Sequence, residues 1–142
     1  MEMNIKQIIA EGEKETVEFK EQVPSDYKRW VKSIIAFANG DGGLLLFGVT
    51  DKRELKGIDS LDVFKTEDAI VNTIADSCEP LIVPTITIHN IDEKNIIAVD
   101  VPRGIQKPSY LKSVGLQAGT FIRSGATTRQ AEPHIVKGLV IE

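Results

Sequence analysis

The run Leu44-Leu45-Leu46-Phe47-Gly48-Val49 contains no polar residue. A strand sends successive side chains to opposite faces, so a stretch that is apolar throughout reads as a strand covered on both sides. The preceding segment supplies one cover. Trp30, Val31, Ile34, Ile35, Phe37 and Ala38 form a broad apolar stripe at helical spacing, which predicts a sheet-packing helix over 26–39 with Ser25 as its cap. Between the two, Asn39-Gly40-Asp41-Gly42-Gly43 tolerates positive φ and predicts a tight helix-to-strand reversal. A chain of 142 residues is long enough to close one domain around such a core.

The flanking segments fill in the layers. Asn4 caps a short helix carrying Ile5, Ile8 and Ile9, stopped at Gly12. Residues 16–20 alternate as a strand, with Val17 and Phe19 inward and Thr16, Glu18 and Lys20 on the polar face. Ser60 and Thr66 are candidate caps for a short helix and then a longer one. The longer helix places Ile70, Val71, Ile74, Ala75 and Cys78 inside and ends before Pro80. Residues 83–91 and 95–101 alternate about Asp92-Glu93-Lys94 as an antiparallel hairpin. A loop with Pro102 and Pro108, a strand over 120–123 and a helix over 132–141 complete the chain. The expectation is a single α+β domain over 1–142, with a mixed, largely antiparallel sheet packed against helices.

No apolar run approaches the roughly 20 residues that span a bilayer. The start, Met1-Glu2-Met3-Asn4, lacks the basic and apolar regions of a signal peptide. One cysteine, Cys78, forbids an intrachain disulfide and reads as a buried structural thiol. These features give a cytoplasmic expectation with no membrane partner.

Net charge is −4, but its distribution is uneven. Residues 101–131 hold Arg103, Lys107, Lys112, Arg123 and Arg129 and no acid, leaving 12 basic against 21 acidic residues elsewhere. Such segregation permits a local positive field on an acidic protein. Arg123 and Arg129 flank Ser124-Gly125-Ala126-Thr127-Thr128, whose hydroxyls and amides suit a phosphate. Lys107, Tyr110 and Lys112 precede them, with Tyr110 either stacking on a base or packing on the sheet. Lys20 could steady a phosphate beside Glu18.

The glycine segment is not a phosphate loop. It lacks the Gly-Lys-Ser/Thr ending and follows a helix, so it meets the carbonyl end and its partial negative charge. Three acids, Glu13, Glu18 and Asp51, bracket the strands instead. If they converge, they suit a hard divalent cation and phosphodiester chemistry. As separate residues they read as a solvated helix end, an ion-pair partner and a turn former. His89 and His134 read as surface positions.

The chain resembles the Schlafen AlbA-like domain family. The resemblance rests on Glu13-x4-Glu18-Phe19-Lys20, on Ala36-Phe37-Ala38-Asn39 with Gly42-Gly43, Gly48-Val49 and Asp51, and on the segment Thr120 to Arg129. It implies an α+β domain that binds nucleic acid. By the pattern of nuclease-active Schlafens, it implies a metal-dependent endoribonuclease cutting structured RNA such as tRNA. Glu13, Glu18 and Asp51 would then be both catalytic residues and ligands of Mg2+ or Mn2+. Lys20, Lys107, Tyr110, Lys112, Arg123 and Arg129 would contact nucleic acid, with a homodimer supplying a second lobe. The alternatives are a non-catalytic DNA-binding module of a transcriptional regulator and an ATP- or nucleotide-binding regulator.

Overall fold

The computed structural model describes residues 4–141, so residues 1–3 of the signal-peptide reading lie outside the described residues. In chain order the elements are α1 (Ile5–Glu11), β1 (Val17–Lys20), α2 (Lys28–Asn39), β2 (Gly43–Phe47), α3 (Val63–Ser77), β3 (Cys78–Glu79), β4 (Thr85–Ile91), β5 (Lys94–Val101), β6 (Tyr110–Leu111), α4 (Gly115–Gly119), β7 (Phe121–Ser124), β8 (Thr127–Gln130) and α5 (Pro133–Val140). Four strands form one sheet in the order β1-β2-β5-β4. β1 and β2 are parallel, while β2–β5 and β5–β4 are antiparallel. Short pairs β3–β6 and β7–β8 stand apart from it. The α+β class and mixed sheet are those expected.

The apolar run is buried on both sides, as its pattern requires. Leu45, Phe47, Ile97 and Val99 join Trp30, Val31, Ile34, Ile35, Ile70 and Ile74 in one cluster. Leu44, Leu46, Val49, Ile96 and Ala98 join Ile5 and Ile9 in the other. Helices α2 and α3 therefore cover one face and α1 the other. The Asn4 side chain accepts the Gln7 N–H, and Gly12 ends α1, as its sequence foretells. The reversal needs its glycines. Gly42 has φ +88°, and a Cβ there would lie 2.6 Å from the Val101 carbonyl oxygen.

Four local expectations change. α2 starts at Lys28 with Tyr27 at the N-cap and no side-chain cap, so Ser25 does not serve; Asp26 Oδ1 accepts the Lys28 N–H instead. One helix, α3, replaces the two expected from Ser60 and Thr66. Val71, assigned inward, is 45% exposed, and Ala75 is exposed too, because the core-facing stripe is narrower, set by Val63, Ile70 and Ile74. The segment around Ser124 to Thr128, read as a turn, is a hairpin whose second strand is β8. That strand, Thr-Thr-Arg-Gln, carries no apolar residue to announce it.

Candidate nucleic-acid interface and the buried carboxylate

Glu18 sits in the middle of β1, paired in register with Leu45 of the buried strand. Alternation assigned it to a polar, accessible face, but it is only 8% exposed. The cover is the β7–β8 hairpin, which packs against α2. Arg123 from β7 reaches over β1 and places a guanidinium nitrogen 2.6 Å from Glu18 Oε1. Ser33 of α2 donates to the same oxygen at 3.0 Å, and the Ser33 and Thr128 hydroxyls meet at 2.8 Å.

Arg123 is saturated inside the chain. Its Nε donates to the Glu15 carbonyl at 2.9 Å and Nη2 to the Lys14 carbonyl at 2.7 Å. Nη1 serves Thr128 at 3.0 Å as well as Glu18. The guanidinium carbon lies 4.9 Å from the centre of the Phe37 ring, an added cation–π contact. With its side chain 4% exposed, Arg123 has no face left for a phosphate. In this arrangement Arg123, expected as a phosphate-binding fork, fastens the hairpin to β1.

The three acids are held separately. Glu13 accepts the Phe19 N–H at 3.1 Å, which fixes the entry to β1. Asp51 stands exposed in the turn after β2. Glu18 keeps one buried oxygen, Oε2, without a hydrogen-bond partner among the described residues; Lys20 Nζ lies 3.9 Å from it. Hard divalent cations need several converging oxygens. Among the described residues no three His, Cys, Asp or Glu side chains group as a cation site. The donor set as folded does not fit Mg2+ or Mn2+, because Arg123 already supplies the positive charge facing Glu18.

The basic stretch divides into parts. Arg103 pairs with Asp41 at 3.1 Å on the surface. Lys107 is half-buried, and Tyr110 is half-buried in β6 opposite Glu79. Lys112 and Arg129 are exposed, and two hydrogen bonds carry their neighbours to the start of α2. The Ser113 hydroxyl meets Tyr27 Oη at 3.0 Å on one side, and Thr128 meets Ser33 on the other. Between these two moorings α2 presents Lys28 and Arg29, both exposed, and the half-buried Lys32. Lys28, Arg29 and Lys32 thus share the first turns of α2, with Asp26 the acid closest in sequence, while Arg129, next to the inward-facing Thr128 on β8, turns its side chain to the opposite face of the hairpin. The three α2 residues were missed from the sequence. Their signal was the polar remainder of the amphipathic helix, Lys28-Arg29-x-x-Lys32, beside a stripe read only for its apolar side.

The glycine reversal offers no anion nest. The Gly40 and Gly42 N–H groups both donate to the Phe37 carbonyl, at 3.1 and 2.9 Å. Asn39 is buried and ties the loop at Ser109 to the start of β7. Its amide donates to the Ser109 and Phe121 carbonyls, and its oxygen accepts the Ser109 N–H. No helix among the described residues is long and apolar enough to cross a membrane.

The family model described as Schlafen, AlbA_2 matches residues 13–132. Among solved structures, the chain is similar to the N-terminal domain of a RecG-related protein from Nitrosomonas europaea, solved by NMR in solution. The two are 24% identical, with a TM-score of 0.65, over 92% of this chain and 94% of that one. It is also similar to a Corynebacterium diphtheriae protein at 15% identity and TM-score 0.65, covering 88% of this chain and 23% of the other. At these identities the likeness shows the fold alone. A search of curated proteins gives no match.

Proposed function

The chain belongs to the Schlafen AlbA_2 family, and from that premise we propose that it is a nucleic-acid-binding domain gripping the phosphate backbone at the start of α2. One observation carries this reading. Lys28, Arg29 and Lys32 stand together on the first turns of α2, and the hydrogen bond between Ser113 and Tyr27 ties the segment that carries Lys112 to the N-cap of that helix. A cationic helix start gives an acidic protein a binding field that its net charge of −4 conceals. Phosphate contacts of this kind set affinity and register without reading sequence. The RecG-related neighbour is named for an ATP-dependent DNA helicase, a name compatible with a nucleic-acid-binding accessory domain.

The experiment is a salt titration of binding to a tRNA and to a DNA duplex. Lys28→Ala, Arg29→Ala and Lys32→Ala combined should weaken binding and flatten the slope of log K against log salt, by about 0.9 per lost phosphate contact on B-DNA. Affinity and slope equal to those of the unaltered protein would remove this surface from the account. The two probes compared at one salt concentration separate an RNA-preferring from a DNA-preferring domain.

A second reading, a metal-dependent endoribonuclease acting on structured RNA such as tRNA, keeps one observation in its favour: the unpartnered Glu18 Oε2. Incubating tRNA with Mn2+ or with EDTA, using Asp51→Asn as the control, separates it from the first. Asp51 is the suitable control because it is exposed. Cutting that requires both the ion and Asp51 supports the second reading, and intact tRNA supports a binder alone.

A further inference from the structure

Among the described residues β4 is the edge of the main sheet, hydrogen-bonded to β5 on one side only. It runs seven residues as Thr-Ile-Thr-Ile-His-Asn-Ile, with no proline, lysine or acid. Edges of that length and composition are templates for another strand unless something blunts them. We infer that its occupant is β4 of a second copy of this chain, joined about a two-fold axis at Ile88. This deepens the expected homodimer by naming its surface, and it stands independently of the nucleic-acid reading.

The register follows from the hairpin. Asp92 and Glu93 both have positive φ, which makes a two-residue turn whose flanking pair, Ile91 and Lys94, is hydrogen-bonded. In an antiparallel ladder such pairs alternate with unbonded ones. Thr85, Thr87, His89 and Ile91 therefore bond inward to β5, and Ile86, Ile88 and Asn90 turn their N–H and C=O groups outward. The β5 side agrees: Asn95, opposite Asn90, points its carbonyl away from β4 and accepts the Ile58 N–H at 2.8 Å.

A two-fold axis at Ile88 sets Ile88 against Ile88 and Ile86 against Asn90 of the partner copy. Every outward-facing residue then meets an outward-facing residue, for about six inter-chain hydrogen bonds. Charge permits the pairing. The strand has no lysine, arginine or acid, and the acidic turn Asp92-Glu93 falls opposite Pro84 and Val83 of the partner copy, not against itself.

A second feature lies on the same side. Asp62, Lys65, Thr66, Ala69 and Thr73 of the α3 region line the cleft it shares with α2. Helical periodicity then turns Phe64 and Val71, seven residues apart, away from α2 and toward the β4 side of the sheet. They are 72% and 45% exposed. Across the proposed axis, α3 would meet its symmetry mate through these two side chains. Ile86 and Ile88, half-buried at the rim of the α2–α3 core, would be covered by the same step. The result is a continuous eight-stranded sheet with the two basic helix ends on its far flanks.

The experiment is light scattering during size exclusion, with the chain loaded from micromolar to near-millimolar concentration. The unaltered chain should approach twice 15.6 kDa. Phe64→Glu with Val71→Glu, and separately Thr87→Lys with His89→Lys, should each give monomers with unchanged circular dichroism. The second pair places lysines opposite one another across the axis. Asn90→Pro removes an outward N–H without touching the β4–β5 ladder and should weaken the dimer as well. Hydrogen exchange needs no variant: the amides of Ile86, Ile88 and Asn90 should gain protection as concentration rises. A monomer at every concentration, a dimer indifferent to all three variants, or concentration-independent exchange at those amides would overturn the proposal.

Discussion

Replacing Arg123 by alanine tests the most tightly bonded group in the site. Arg123 is 4% exposed in its side chain, and its removal leaves Glu18 buried with its nearest opposite charge only at Lys20, 3.9 Å from Oε2. Breaking a buried pair by deleting one partner costs about 3–5 kcal/mol. The lost bonds to the Lys14 and Glu15 carbonyls are each worth roughly 0.5–1.5 kcal/mol, but they overlap with the pair because the same side chain makes all of them. A loss of about 4–5 kcal/mol is therefore expected, a fall in Tm of roughly 10–15 °C for a chain of this size. The assay is urea unfolding followed by tryptophan fluorescence, since Trp30 is buried against Phe47 in the adjoining core. Glu18→Gln keeps an acceptor for Arg123 and Ser33 and should cost only about 1–2 kcal/mol. Replacing both Glu18 and Arg123 by leucine should recover part of the single-variant loss, as neighbours in one buried pair do. A loss below about 1 kcal/mol for Arg123→Ala, or single costs that simply add, would refute the view that this pair closes the hairpin onto β1.

Two further outcomes follow from the packing. Asn39→Ala strips two buried hydrogen bonds and one part-buried one that join the Ser109 loop to β7; urea unfolding should show a loss of about 2–4 kcal/mol. Cys78 is sealed in the core, and burial pushes its thiol up to about 12. Its share of stability is full below the unfolded thiol's range near 8.5, and falls as pH rises from there toward 12 because only the unfolded chain ionises. Thiol reagents at pH 8 should therefore label the protein only in denaturant, and rapid labelling of folded protein would contradict its burial.

The buried run at 44–49 and the α2 stripe were legible because they are dense in one kind of residue and their periods differ. The site was less so. Glu18 reads as solvent-facing by alternation, and that rule holds only until another element lands on the polar face. The element that lands is the β7–β8 hairpin, whose Thr-Thr-Arg-Gln strand has no apolar period. Its attachment is made of hydrogen bonds across more than a hundred residues, and no local pattern records those. The expected caps at Ser25, Ser60 and Thr66 failed for a milder reason: hydroxyls favour helix starts, but any nearby polar group can take the N–H groups, as Asp26 does.

The same hairpin bears on how a catalytic reading can be examined. Glu18→Ala is the obvious variant for a carboxylate thought to hold an ion, yet here it also strips Arg123 of its counter-charge. Activity lost in that variant would report unfolding as readily as chemistry. Asp51 and Glu13 are exposed, so their neutral isosteres leave the Arg123 pair intact. Glu13→Gln preserves an oxygen for the Phe19 N–H, and Asp51→Asn alters only a turn. Cleavage that survives both changes cannot depend on the three acids together. Cleavage abolished by either, with urea stability unchanged, would show that the exposed acid serves the reaction and not the fold. Stability and cleavage measured on one set of variants separate these cases, because a variant that loosens the hairpin lowers both while one that removes only chemistry lowers cleavage alone.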